Sequence, residues 1–410
     1  MEIKKIIKYV LYPFNVFIFL LIRLAAPFCA AIRKSGNHPW VIGGHRGRIY
    51  EDNSAALHAY VVAGTSQPII WIAMSEELAG SLRSRGYSVF IKDSLRARIA
   101  IICAPVLVYS HGEDDLDTYF KYFRSCTGLR VYLSHCLTHL KTGRFFQPCV
   151  DGWSQKEIET YAKKITDFDV LLTSSPAEKA NLDKAFRYRT DRILPYGGGA
   201  HIDNMLIARD VVIENIIVWF PTFRDSKEGK IASAKVINDV ISSVDLQRYL
   251  ERENLIFMVV GHINTKKHLI EAGSHPRISI HNSSELLSLL GKAACLVTDY
   301  SGLTFDWLCF NRPIIHFAFD EKEYFKSRKL LNSLEDIQFG PLMYTQDEFI
   351  KTLITNSWQD TLQYAANRQR WMDIVFPNLS YGFSQRCYET ICNLRLSFDE
   401  KTRKFITATR

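Results

Sequence analysis

Short apolar runs rich in β-branched and aromatic residues alternate along the chain with stretches of helical period. Ile69–Ala73, Tyr87–Ile91, Val106–Tyr109, Phe168–Ser175 and Ile193–Pro195 read as strands, and so do Ile216–Phe220, Leu255–Val260, Ile278–Ile280, Cys295–Thr298 and Ile314–Phe317. Helical patterns lie between and after them at Ser75–Arg85, Ser94–Ile102, Pro176–Phe186, Ile231–Glu253, Ser284–Leu290, Phe349–Trp358 and Leu362–Phe376. This alternation predicts doubly wound α/β structure. Two turns stand out. Asp299-Tyr300-Ser301-Gly302 follows a strand and opens a short helix at Leu303. There, free backbone N–H groups and the positive helix end can hold a phosphate, and Ser301 adds a hydroxyl. Asp299 and Ser301 also suit simple helix capping. Near the start, Val41 leads through the glycine-rich turn Gly43–Gly47 to Asp52-Asn53-Ser54, which reads as the cap of a helix through Tyr60. That turn is not a complete phosphate fingerprint.

Residues 1–34 stand apart. They are basic at both ends, with a charge-free core from Tyr9 to Ile22 that contains Pro13 and Asn15. A bilayer-spanning helix wants about 20 apolar residues, a length reached here only by accepting Arg23 and Pro27. The segment reads as a membrane-associating helix with Lys4, Lys5, Lys8 and Arg23 near lipid phosphates. The other reading is a buried helix of the first domain. A length of 410 residues fits two domains of ordinary size, and 47% hydrophobic content without a low-complexity tract fits a globular chain. A net charge of +8 does not imply nucleic acid; it suits an anionic membrane surface or phosphate-rich substrates. Nine cysteines without a C-x-x-C pair argue against a zinc site or disulfide scaffold and for a reducing compartment.

Candidate chemistry sits at strand ends. His111 follows Val106–Tyr109, and Asp115-x-Asp117 beyond it is either a metal-binding carboxylate pair or a helix start. Val131–Phe145 reads VYLSHCLTHLKTGRF; His135 and His139 each offer an imidazole whose near-neutral pKa suits proton abstraction. Pro221-Thr222-Phe223-Arg224 sets a hydroxyl and a permanently charged, bidentate guanidinium at a strand end, a combination suited to a diphosphate.

In order along the chain, SHCLTHLKTG, Pro221-Thr222-Phe223-Arg224, Gly261-His262, DYSGLTFDWLCFNRPIIHFAFDEKEY, Gly340-Pro341 and Gly382-x-Ser384-x-Arg386 resemble the CDP-glycerol glycerophosphotransferase family, the teichoic-acid and capsule polyol-phosphate transferases. The resemblance runs roughly over residues 41–395. It implies two Rossmann-like domains facing each other in the GT-B arrangement. An acceptor domain would occupy residues 35–208 and a CDP-donor domain 209–376, with a helix in 377–410 crossing back and ending in a basic tail. It implies His135 as general base and His262 as a second functional histidine. Thr222, Arg224 and Ser301 would stabilise phosphate charge, Lys141 would offset it, and Asp299, Tyr300 and Gly302 would complete the donor turn. Asp52, Asn53 and His111 would face the acceptor. No cofactor and no metal is implied, because protein donors can replace one.

The implied reaction moves a polyol phosphate, glycerol phosphate first, from CDP-glycerol or a related CDP-polyol to a lipid-linked glycan or polymer. CMP leaves. The place would be the cytoplasmic face of the bacterial inner membrane, with no nucleic-acid partner, and the short chain leans towards priming over long polymerisation. The chain departs from the family pattern at Ser134 (Trp in the family), Cys136 (Gly), Gly302 (Ser), Ala200-His201 (an Arg region), Val260 (Lys), Ile263 (Pro) and Tyr381 (Asp). Two other readings stay open: a GT-B glycosyltransferase that releases a nucleoside diphosphate, and a non-catalytic membrane-bound relative.

Overall fold

The computed structural model describes residues 19–141, 152–165, 167–186, 189–222, 224, 226–261, 275–326, 330–359 and 361–405. The alternating pattern folds into two parallel sheets. The first is seven-stranded, ordered β3-β2-β1-β4-β5-β6-β7, from β1 (Trp40–Ile42), β2 (Ile69–Ala73), β3 (Val89–Ile91), β4 (Val106–Tyr109), β5 (Leu129–Leu133), β6 (Val170–Thr173) and β7 (Ile193–Gly197). The second is six-stranded, ordered β10-β9-β8-β11-β12-β13, from β8 (Ile216–Phe220), β9 (Ile256–Gly261), β10 (Ile278–Asn282), β11 (Cys295–Thr298), β12 (Ile314–Phe317) and β13 (Leu342–Met343). Helices cover both faces, so the central strands are buried from end to end and read as unbroken apolar runs rather than alternating ones. In each sheet the strand order reverses once, between β1 and β4 and between β8 and β11. Ligands of open α/β sheets bind beyond the carboxyl ends of the strands at such points. Register keeps these ends level: Ile42 pairs with Val108, and Phe220 with Thr298.

Two expectations change. The helix expected over Ile231–Glu253 is two helices, Lys227–Ile241 and Val244–Arg252. Ser243 interrupts it and caps the second, accepting the Leu246 N–H at 3.4 Å. Residues 1–18 lie outside the described residues, but 19–34 form a helix docked on the first domain. Its Phe19, Ile22 and Cys29 enter that domain's core, and Arg33 pairs with Glu400 at 2.7 Å. The opposite face leaves Leu20, Leu21, Leu24 and Phe28 exposed. Among the described residues, no helix is long and apolar enough to cross a membrane.

The chain crosses between the sheets twice. The second crossing ends in the helix Phe383–Ser397, which lies against β7 and the helix Asp52–Gly64 of the first domain. A helix start has backbone N–H groups without partners in the helix. Here Asp203, on the first crossing, accepts them from Gly382 at 2.9 Å, Phe383 at 3.0 Å and Ser384 at 2.7 Å. Asp203→Ala is therefore expected to cost about 1–3 kcal/mol in urea unfolding, with Asp203→Asn losing less. An unchanged midpoint in the alanine variant would mean that the carboxylate does not hold this helix end.

Candidate active site

The second sheet's switch point carries the donor-side candidates. Asp299, fully buried after β11, accepts hydrogen bonds from the Thr222 and Tyr300 backbone N–H groups, both at 2.8 Å, and from the Thr222 hydroxyl. Arg224 joins the loop, with Nη2 2.8 Å from Asp299 and Nε 2.6 Å from Asp320. Its guanidinium also lies over the rings of Tyr300, Phe319 and Tyr324, and Tyr300 stacks on Tyr324 at 4.0 Å. Arg224 is thus a buried strut between two carboxylates, not an open fork. Burial alone would lower its pKa; Asp299 and Asp320 more than reverse this. Ser301 accepts the Leu303 N–H at 3.2 Å and so satisfies the first N–H of the following helix, whose N-cap position is Gly302. That helix is α-helical over Leu303–Asp306 and tightens to 3-10 geometry over Trp307–Phe310.

The first domain reaches into the second through the loop after β5. Leu137 and Leu140 are buried in the second domain's core beside Tyr300, Leu303 and Phe305. The Leu140 carbonyl accepts the Leu331 N–H at 2.8 Å, and the His139 carbonyl accepts Asn332 Nδ2 at 2.6 Å. Lys141 Nζ lies 3.3 Å from the Tyr324 hydroxyl. Cys136 meets the donor turn itself: a Cβ on Gly302 would lie 3.0 Å from its Sγ. Two departures from the family pattern are therefore in contact. Where that pattern has glycine opposite serine, this chain has Cys136 opposite Gly302, so side-chain volume has changed sides. His135, next to Cys136, keeps solvent access at this junction. The surrounding protein lowers its pKa below 6.5, and Asp52 only partly opposes that.

The acceptor-side candidates cluster at the first switch point. His45, His111 and His135 form a row, with ring centroids 4.0 Å and 4.5 Å apart. Asp52 does not cap its helix. Its backbone is left-handed, at φ 65°, and its carboxylate meets His45 Nε2 at 2.8 Å. Burial raises the Asp52 pKa, but His45, His135 and His201 bring it below the usual range. Burial lowers the His45 pKa, but Asp52 brings it above 6.5. Burial also pushes Glu51 up to about 7. Asp115 accepts the N–H groups of Arg46 at 2.7 Å, Ser110 at 2.9 Å and His111 at 2.8 Å, while Asp117 pairs with Arg98 at 2.8 Å. The Asp115-x-Asp117 carboxylates are thus engaged in holding loops. Gly43 is needed because a Cβ there would lie 2.7 Å from the Asp115 carbonyl. Ligand atoms of His45, Asp52 and His111 lie within 4.8 Å of one another. However, His111 Nδ1 already accepts the His45 N–H at 3.2 Å and would have to give it up to bind an ion.

A buried chain joins the two walls. Asn53 Nδ2 donates to the Ser134 carbonyl. Asn53 Oδ1 accepts the His201 N–H at 3.0 Å and lies 2.7 Å from His201 Nδ1, while His201 Nε2 lies 3.1 Å from Asp306 Oδ1. Neither His201 nor Asp306 was singled out as a site residue in the sequence, although Asp306 stands inside the long DYSGLTFDWLCF motif. His262 lies outside the described residues.

The family profile for CDP-glycerol:poly(glycerophosphate) glycerophosphotransferases matches residues 37–393. The chain belongs to this family. Among curated relatives of this family member, the teichoic acid ribitol-phosphate polymerase TarL of Staphylococcus aureus is 23% identical over 224 residues, covering 53% of this chain and 39% of TarL. The teichoic acid glycerol-phosphate primase of Bacillus subtilis is 25% identical over 210 residues, covering 49% of this chain and 53% of the primase. The alignments thus span about two-fifths to just over half of these relatives. The solved structure of the wall teichoic acid polymerase TagF superposes with a TM-score of 0.65 at 16% identity, covering 96% of this chain and 98% of that one. A TagF variant soaked with CDPG gives 0.66 at 15% identity, covering 96% and 98%. These likenesses show the shared fold.

The volume exchange can be tested by a double-mutant cycle in this protein. Gly302→Ser alone overpacks the contact with Cys136 and is expected to cost about 1–3 kcal/mol of stability. Adding Cys136→Gly should recover most of it. Strictly additive losses would mean that the two positions are independent.

Proposed function

We propose that this protein transfers a polyol phosphate, glycerol phosphate first, from a CDP-activated donor to a hydroxyl of a lipid-linked glycan or polymer, with CMP as leaving group. The reading is carried by the loop that unites the two switch points: Cys136 packs on Gly302 of the Asp299–Gly302 turn, with His135 beside it. The diphosphate of the donor would lie at that turn, where the remaining backbone N–H groups and the Ser301 hydroxyl supply donors, while Thr222 and Arg224, engaged with Asp299 and Asp320, hold the loop in shape. An acceptor hydroxyl would enter from the side of Asp52, Asn53 and His111. Its oxygen attacks the β-phosphorus, the P–O bond to CMP breaks, and CMP carries off the electron pair. His135 takes the hydroxyl proton; its lowered pKa leaves it neutral and ready to accept at neutral pH. Lys141 would offset phosphate charge. His262, by resemblance, would add a second imidazole. The step needs no bound cofactor, because these groups can do the work of a cation on the departing phosphate. The exposed Leu20, Leu21, Leu24 and Phe28 give the 19–34 helix an apolar outer face that would rest on the membrane carrying the acceptor.

The test is nucleotide release from CDP-glycerol, CDP-ribitol, and UDP- and GDP-sugars, with membrane extract as acceptor. CMP release is expected to survive EDTA and to fall about 10²–10⁴-fold in His135→Ala. Release of UDP or GDP would overturn the reading in favour of a glycosyltransferase.

A further inference from the structure

The hydrogen bonds of the Asn53–His201–Asp306 chain can run in only one direction. Asn53 Nδ2 donates to the Ser134 carbonyl, so Oδ1 is the atom turned to His201, and it accepts the His201 backbone N–H at 3.0 Å. His201 Nδ1, 2.7 Å from the same oxygen, must then bring a proton of its own. Nε2 faces Asp306 Oδ1 at 3.1 Å, and an ionised carboxylate only accepts. Both ring nitrogens therefore carry protons. We propose that His201 is a buried imidazolium, a positioning cation that holds the acceptor wall of the cleft against the donor helix.

The surroundings suit a cation. His201 and Asp306 are each 5% exposed, and a charge so buried requires a matched partner. Asp306 comes from the second domain. Asp52, from the helix Asp52–Gly64, and Glu178, from the helix Pro176–Phe186, add negative charge from the first. Burial alone lowers the His201 pKa, but these carboxylates more than reverse it and bring it above 6.5. The lever arm is short. Asn53 links His201 to the carbonyl of Ser134, the residue before His135. The charge therefore helps set where His135 stands relative to the Asp299–Gly302 turn. The resembling family has arginine in this region. An imidazolium supplies a like charge but, unlike a guanidinium, gives it up as pH rises.

The sign follows. The folded-state pKa lies above the unfolded one, so the stabilisation is complete below about pH 6.5 and is lost as pH rises through the folded value. Each unit of separation is worth about tenfold in the folding equilibrium. The experiment is a ¹⁵N-histidine NMR titration of the full chain. The His201 resonances are assigned with His201→Gln or, where that variant does not fold, with His201→Arg. At about pH 6 both His201 nitrogens should be protonated. The resonance should titrate above 6.5 and move to a lower pKa in Asp306→Asn. In urea unfolding, His201→Arg should lose less stability than the wild type between about pH 6 and about pH 8. A singly protonated His201 ring at about pH 6, or an arginine variant with the wild-type pH dependence, would overturn the proposal.

Discussion

The loop from Ser134 to Lys141 is the contact on which the rest depends. It leaves the first sheet at β5 and buries Leu137 and Leu140 in the core of the second. Two open sheets would otherwise present two separate crevices, each with half a site. Burying two leucine side chains contributes on the order of 3–6 kcal/mol before entropy is counted. That fixes the depth and rotation of one crevice relative to the other. His135 and Cys136 lie in the same segment, so the residues that join the domains also occupy the cleft.

Within that frame, loops are tied to loops by carboxylates that collect backbone N–H groups. Asp115 ties the turn after β1 to the turn after β4. Asp299 does the same for the loops after β8 and β11. Glu178 accepts from Thr138 at 2.9 Å and Ser174 at 2.7 Å, tying the loops after β5 and β6. Each recurs where irregular backbone must be held without a regular ladder to satisfy it. A carboxylate suits the task because it accepts several hydrogen bonds at once without offering a competing donor. Left facing the cleft are the imidazoles of His45, His111 and His135, which can change protonation, beside Asp52.

Most of the fold was legible in the sequence because buried parallel strands write themselves as unbroken apolar runs, and β8 and β11 stand within their expected bounds. The missed break at Ser243 reflects a local cap that helical periodicity does not register. The donor turn was legible as a turn, but the state of Arg224 was not. Its partner Asp320 lies 96 residues away, and single-sequence spacing carries no sign of such a pairing. Cys136 and Gly302 looked like two unrelated departures until the fold brought them into contact. His201 was hidden for another reason: its protonation follows from which atoms of Asn53 and Asp306 face it, and only tertiary geometry supplies that.

Asp203 does more than finish a helix. It sits on the first strand of chain to pass between the domains and grips the second strand where it returns, and Tyr381 adds a 2.6 Å bond to Asp210 beside it. The two passages are therefore pinned together at one spot, like the leaves of a door on a single pin. A turn of one domain against the other would have to strain this pin and the Leu137–Leu140 contact at once, so the two attachments brace the cleft from both ends.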